Sequence, residues 1–344
     1  MRDTRKITVG IIGFGNFGRL AASILKDDFR VKVCHYRKRE EDIKLAKKIN
    51  VELTTLNNTL NSDVIVLAVP ISKTEAAIKQ ISSKLKPGTL VLDTCSVKTY
   101  PCRWLKKYIP ENVEIIGTHP MFGPTTSKFN FEKQKWILEG LQIVLCPLRI
   151  KKARQEEVIK YLSKLGLKVI ITTPEDHDRQ NAKTLALVHY IGRSLLGAGI
   201  GEQEIYTKGY LDLLSILPHT TSDNWQLFYD MNNYNPYARK IIKKFQAASL
   251  KMEDRLIKAD KESDIKKNRD IISEIDKQIA RLLTKRFEQV KKIGQYKKKN
   301  NIRTKDSKRE TQVINNALKE KKLDKKFVQD LYKVIFNQSY KLQE

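Results

Sequence analysis

The chain has 344 residues, 40% of them hydrophobic, with 66 Lys and Arg against 39 Asp and Glu for a formal net charge of +27. That length is more than one compact domain needs, and the apolar fraction excludes wholesale disorder and suggests two or three cores. No run reaches the length of a membrane span, no signal-peptide pattern opens the chain, and Cys34, Cys95, Cys102 and Cys146 show neither disulfide nor metal-ligand spacing; a cytoplasmic protein without a metal is expected.

The cations are dispersed, commonly at helical spacing beside Glu or Asp, and aromatic residues are not interleaved with them. This argues for a solvated lysine-rich surface and against a nucleic-acid platform. The same positive field suits small anionic substrates.

The first unit, ITVGIIGFGNFGRLAASILKDDFRVKVCHY (7–36), reads as strand, glycine turn, helix and strand. Gly13, Gly15 and Gly18 have the GxGxxG spacing, with Phe14, Asn16 and Phe17 between them, and a pyrophosphate is expected at the helix start. Gly13 allows the turn, Gly15 the approach of the phosphates and Gly18 the packing of helix on sheet. Tyr36, Arg37 and Lys38 stand where an acid would take the ribose 2′-hydroxyl of NAD. Cations there suit a 2′-phosphate, so NADP is favoured and NAD is the alternative.

Further apolar strands follow at SDVIVLAVP (62–70), TLVLDTCSVK (89–98), VEIIGTHP (113–120), LQIVLCP (141–147) and LKVIITT (167–173). Short apolar strands alternating with helices predict a parallel, doubly wound sheet, whose ligands bind beyond the carboxyl ends of its strands. Val69 and Pro70 at one such end are expected to border the cofactor. Ser96, Thr118 and His119 are expected at the same rim, His119 just past its strand. There a histidine can manage a proton while hydride moves to a nicotinamide; position alone equally allows a structural histidine.

From Pro174 the pattern turns helical, with His189 in mid-helix as either a core residue or a substrate contact. MEDRLIKADKESDIKKNR (252–269) is a charged junction. A long uninterrupted amphipathic helix then runs to about residue 300, followed by two shorter helices near 308–321 and 324–343. So thin a core calls for a partner subunit.

DTCSVK (93–98), GTHPMFGP (117–124), PEDHDRQNA (174–182), YTKGYLDLL (206–214) and SDNWQLFYDMNNYNP (222–236) together resemble the prephenate/arogenate dehydrogenase family of tyrosine biosynthesis, the plant-type arogenate enzymes most closely. The resemblance implies that His119 bonds the ring hydroxyl as hydride leaves, that Ser96 supports this contact, and that loss of the ring carboxylate as CO₂ makes the ring aromatic. It implies a helical dimerisation domain over 175–260 that also closes over the substrate, and Thr118 and His189 are expected among the substrate-binding residues. Leu211 and Ser215 stand near where many prephenate-using members carry clamping arginines. Asp223 matches an acid of the plant-type enzymes and could pair with the amino group of arogenate, or merely cap a helix.

RDIISEID (269–276), LLTKR (282–286), YKKKNNIRTKDSKRE (296–310) and NQSYKLQ (337–343) are similar to the all-helical chorismate mutase family. That resemblance implies Arg286 and Ser339 on one carboxylate, Arg269 (from a partner chain) and Lys297 on the other, and Lys297 and Gln343 on the ether oxygen. It implies Glu310 on the ring hydroxyl, with Arg309 and Asp306 ordering the site, Asp306 through its backbone or as a cap. The expectation is therefore an α/β Rossmann-like doubly wound domain (1–174), an all-α dimerisation domain (175–260) and an all-α three-helix mutase domain (263–344). The chain would be a homodimer acting on chorismate and on prephenate or arogenate, without nucleic acid or membrane. A β-hydroxyacid or imine reductase with an inert helical tail is the competing enzyme class.

Overall fold

The computed structural model describes residues 7–36, 40–132, 134–259, 265–319 and 323–343. Its contacts divide the chain into two units, one through Lys251 and one from Met252.

The first unit is built on eight strands: β1 (Thr8–Ile12), β2 (Arg30–Cys34), β3 (Glu52–Leu53), β4 (Val64–Leu67), β5 (Leu90–Asp93), β6 (Glu114–Pro120), β9 (Gln142–Arg149) and β10 (Lys168–Ile171). They lie in the order β10-β9-β6-β5-β4-β1-β2-β3, beside a separate hairpin of β7 (Lys128–Asn130) and β8 (Lys135–Ile137). Helices cover both faces, so strands such as TVGII are buried along their whole length. Ile11, Val33, Ile65, Leu67, Val91 and Ile115 are wholly buried, and each such aliphatic contributes about 1.5–3 kcal/mol.

The sheet is not parallel throughout. β9 pairs antiparallel with β6, and β10 is parallel to β9, so these two run against the other six strands. The cause is the connection: the described residues of 121–141 carry the β7–β8 hairpin and no crossover helix, so the chain turns back on itself. The same pairing lengthens β6. Its ladder with β5 ends at Ile116, yet Gly117 to Pro120 stay paired with Cys146 to Ile143. His119 therefore lies inside its strand, one residue before the end, and not beyond it.

Strand order reverses between β1 and β4, which opens a crevice at their carboxyl ends. The helical segment after Pro174 docks on this edge through two buried aspartates. Asp230 accepts from the backbone N–H of Ser72 at 3.0 Å, at the start of the helix Ile71–Ser82. Asp178 accepts from Lys98 N and Thr99 N at 2.7 and 2.8 Å, at the start of the helix Thr99–Tyr108. Neither helix has a side-chain cap of its own. Carboxylates at bare helix starts are favoured by the orphan N–H groups and the helix dipole. The change of architecture near residue 174 thus falls within one unit.

The helix Ala238–Ala259 runs across the boundary of the two units, and beyond it the described residues of the second unit form the helices Ile265–Lys299, Ser307–Ala317 and Lys325–Lys341. Val290, Val328 and Ile335 are its buried aliphatics. Ile272, Ile275, Ile279 and Leu282 stand exposed along the long helix at alternating three- and four-residue spacing, which is the stripe of a packed helix face.

Candidate active sites

The glycine turn has the geometry of a phosphate cradle. Gly13 has φ +107°, and a Cβ there would lie 2.3 Å from the Ala68 carbonyl; a Cβ on Gly18 would lie 2.1 Å from the Gly13 carbonyl. Around Gly15, in contrast, nothing lies within 4 Å of the Cβ position. Gly15 caps the ten-residue helix Asn16–Leu25 without a side-chain hydrogen bond, so the helix start is open to an anion. Gly15→Ala is accordingly expected to leave thermal stability unchanged while weakening dinucleotide binding in a titration. Gly18→Ala, which must displace backbone, should destabilise the unit by about 1–3 kcal/mol in a denaturant melt.

Of the other residues expected at the cofactor, Phe14 is buried, Asn16 exposed and Phe17 half-buried, its ring 6.4 Å from Phe122 in the GTHPMFGP run. Val69 is half-buried, and Pro70 caps the helix Ile71–Ser82. Tyr36 is 94% exposed, while Arg37 and Lys38 lie outside the described residues. The nearby Asp42 carboxylate is buried and held by Arg19 at 2.7 Å and His35 at 2.9 Å.

Further along the same edge, His119 is 5% exposed. Its Nδ1 lies 2.8 Å from Nε2 of His177, and Nδ1 of His177 lies 2.8 Å from Oδ1 of Asp178. Beneath them Lys98, wholly buried, donates through Nζ to Asp93 and to the carbonyl of Thr118. The Thr118 hydroxyl donates to the Asp93 carbonyl. Burial, then His177, then the Lys98 ammonium push the His119 imidazolium well below the ordinary histidine range. Burial likewise lowers His177 despite the Asp178 carboxylate. Ser96 makes no hydrogen bond to His119; its carbonyl accepts from Asn181 Nδ2, and its hydroxyl is buried without a partner. A neutral imidazole and an unpartnered hydroxyl at the rim suit a substrate hydroxyl. Asp93, Lys98, His177 and Asp178 were not singled out in the sequence; the signal available was their presence inside DTCSVK and PEDHDRQNA.

His189 is also buried; its Nδ1 has no partner, and its Nε2 lies 3.9 Å from Asp223 Oδ2. Asp223 is not a cap: Asn224 caps the helix Trp225–Asn233, accepting from Leu227 N. Arg193, one turn beyond His189, donates to the Asp223 carbonyl at 2.6 Å and lies 4.3 Å from the centre of the Trp225 ring, with Nε buried and unpartnered. Nothing in the sequence distinguished this arginine from the many on the surface.

In the second unit Arg286 Nη1 donates to Ser339 Oγ at 2.6 Å, and burial lowers the guanidinium below its ordinary value. Gln343 Nε2 donates to the Ser339 carbonyl at 3.3 Å, while its Oε1 is buried without a partner. A Cβ on Gly294 would lie 2.8 Å from Gln343 Cγ, so the residues just past the last helix pack tightly on the long helix there. Lys297 Nζ donates to the Thr304 carbonyl at 2.8 Å. Asp306 caps the helix Ser307–Ala317 through Arg309 N, the Arg309 side chain reaches Gln312, and Glu310 accepts from the Tyr340 hydroxyl. Arg269 is exposed on the long helix and is not brought to this group.

Comparison with known proteins gives the families of the two units. Residues 20–171 match the family described as prephenate dehydrogenase, nucleotide-binding domain; residues 194–268 match the TYRAAT1-like, C-terminal domain; residues 268–344 match chorismate mutase type II. Arogenate dehydrogenase 2, chloroplastic, of Arabidopsis thaliana is 32% identical over 263 residues, covering 73% of this chain and 71% of that protein. A probable arogenate/prephenate dehydrogenase of Methanocaldococcus jannaschii is 30% identical over 260 residues, 71% of this chain and 55% of that protein. The crystal structure of prephenate dehydrogenase from Aquifex aeolicus, with hydroxyphenyl propionate and NAD+, shares the fold with a TM-score of 0.59 at 20% identity, over 80% of this chain and 99% of that one. Among the described residues no helix is long and apolar enough to cross a membrane. The chain belongs to the prephenate and arogenate dehydrogenase family and carries a type II chorismate mutase domain fused behind the dehydrogenase.

Proposed function

We propose that residues 263–344 rearrange chorismate to prephenate, and that residues 1–174 and 175–260 together oxidise and decarboxylate prephenate with NADP as hydride acceptor. The observations that carry the second half are His119, buried near the carboxyl end of its strand with its imidazolium form disfavoured by that burial, and the buried, unpartnered hydroxyl of Ser96 just past β5. The bound nicotinamide supplies the acceptor for hydride. The chain aligns the carbinol carbon, His119 takes the hydroxyl proton, and Ser96 bonds the same oxygen. Loss of CO₂ then yields an aromatic ring, which is the driving force.

NADP is favoured by the cations after β2 in the sequence and by the engagement of Asp42 with Arg19 and His35, which leaves that acid occupied. In the mutase half, chemistry needs no acid or base. Arg286, Ser339, Lys297 and Gln343 would hold the two carboxylates and stabilise charge on the breaking ether oxygen, with Glu310 on the ring hydroxyl. The exposed stripe Ile272, Ile275, Ile279 and Leu282, on the helix that also exposes Arg269, supports a homodimer in which Arg269 completes the partner's site.

Arogenate is the second reading, and Asp223 favours it. Its side chain is 40% exposed beside His189, suited to an ammonium that prephenate lacks, and Arg193 can replace the missing clamp for the neighbouring carboxylate. The test compares kcat/KM for both substrates. Asp223→Asn is expected to lower arogenate oxidation about 10–100-fold, the value of a hydrogen bond to a charged group, without lowering prephenate oxidation. An equal fall for both would remove Asp223 from substrate choice.

A further inference from the structure

We propose that Asp178 and His177 form a hydrogen-bonded relay that fixes His119 as its Nδ1–H tautomer and so presents a bare Nε2 to the substrate hydroxyl. The proposal rests on the dehydrogenase reading above.

The direction of the relay follows from its anchored end. The Asp178 carboxylate meets donors: Lys98 N at 2.7 Å, Thr99 N at 2.8 Å and the His177 ring at 2.8 Å. A carboxylate committed to two backbone amides accepts, so His177 Nδ1 carries the proton. A neutral imidazole has one N–H, which leaves His177 Nε2 as a lone pair. That lone pair lies 2.8 Å from His119 Nδ1, and His119 must donate to it. With its one N–H used, His119 keeps a lone pair on Nε2, to which no described residue bonds. His119 is 5% exposed, His177 4% and Asp178 0%, so water does not compete for these bonds. Asn235 Nδ2, donating to the Asp178 carbonyl at 2.9 Å, fixes the anchor further.

The relay also gives the transferred proton a place. As hydride leaves the carbinol carbon with its electron pair for the nicotinamide, the O–H bond breaks and an N–H bond forms at His119 Nε2. The Nδ1 proton can then pass to His177 Nε2, which puts the added positive charge beside the Asp178 carboxylate. When the ring carboxylate departs as CO₂, its bonding pair enters the ring, the oxygen takes its proton back, and the relay resets with no net proton gained by the chain. His177 and Asp178 touch neither substrate nor cofactor in this scheme; they are positioning residues.

Histidine ¹⁵N spectra of the full-length protein near neutral pH test the tautomer directly. His119 and His177 are both expected with Nδ1 protonated and Nε2 bare, the His119 signals assigned by their loss in His119→Asn and the His177 signals by their loss in His177→Leu. A protonated Nε2 on His119 overturns the proposal, whatever the protein oxidises. In kinetics His177→Leu should lower dehydrogenase kcat about 100-fold or more, with KM and NADP⁺ affinity within about twofold of wild type. His177→Gln retains an oxygen able to accept from His119 and should recover to within about tenfold. Unchanged kcat in His177→Leu, or a loss shared with KM and cofactor affinity, would assign His177 a structural role and overturn the relay. If wild type oxidises neither prephenate nor arogenate, the functional reading fails, while the spectra still decide the tautomer.

Discussion

His119→Asn is expected to lower the dehydrogenase kcat by about 10²–10⁴-fold, the range for removing a positioned general base, while chorismate mutase activity stays at the wild-type level. Asparagine can still form a hydrogen bond but cannot take the proton, so KM should change little. The pH profile checks the same assignment. Burial, the neighbouring His177 and the Lys98 ammonium all push the proton off His119. The base is therefore free at neutral pH, and activity should hold constant as pH falls through the ordinary histidine value near 6.5, declining only well below it. An acid limb at or above that value would show that another group titrates, and a kcat within tenfold of wild type in the variant would remove His119 from proton transfer.

The second large effect belongs to the other unit. Arg286→Ala should lower chorismate mutase kcat/KM by about 10²–10³-fold, the usual cost of deleting one preorganised charge or donor, with dehydrogenation of added prephenate or arogenate unchanged. Arg286 is partly desolvated and already directed by Ser339, so little ordering remains to be done when a carboxylate arrives. Arg286→Lys keeps the charge and loses the fork, and should recover only part of the activity. Mutase activity surviving the alanine variant would mean that the substrate carboxylate is held elsewhere. Both assays on each variant separate the two sites, since neither residue lies in the other's unit.

Local chemistry made much of this legible. The glycines of the first turn have distinct duties that their spacing already implied: Gly13 and Gly18 face backbone, while Gly15 faces open space. Ser96 falls beyond β5 as the strand pattern required. The long helix Ile265–Lys299 follows its apolar period. What escaped the sequence is what tertiary contact decides. The reversal of β9 hangs on a hairpin connection whose short strands give almost no periodic signal, and the same reversal pulls His119 into its strand. Asp178 and Asp230 look like ordinary helix polar residues, yet they cap helices some 79 and 158 positions away in sequence. His177 joins segments that only the closed fold brings together. The π-helical turn Ala182–Ala186, between His177 and His189, has no pattern by which propensity could find it.

The most direct test of the account gives the full-length protein chorismate and NADP⁺, follows chorismate loss and absorbance at the NADPH band, and supplies prephenate and arogenate separately in parallel. The account predicts that chorismate disappears and that NADPH forms from at least one of the two cyclohexadienyl acids. NADPH forming from chorismate alone would show both sites working in sequence on prephenate. Chorismate that persists would contradict the mutase assignment, and NADPH from neither acid would contradict the dehydrogenase assignment.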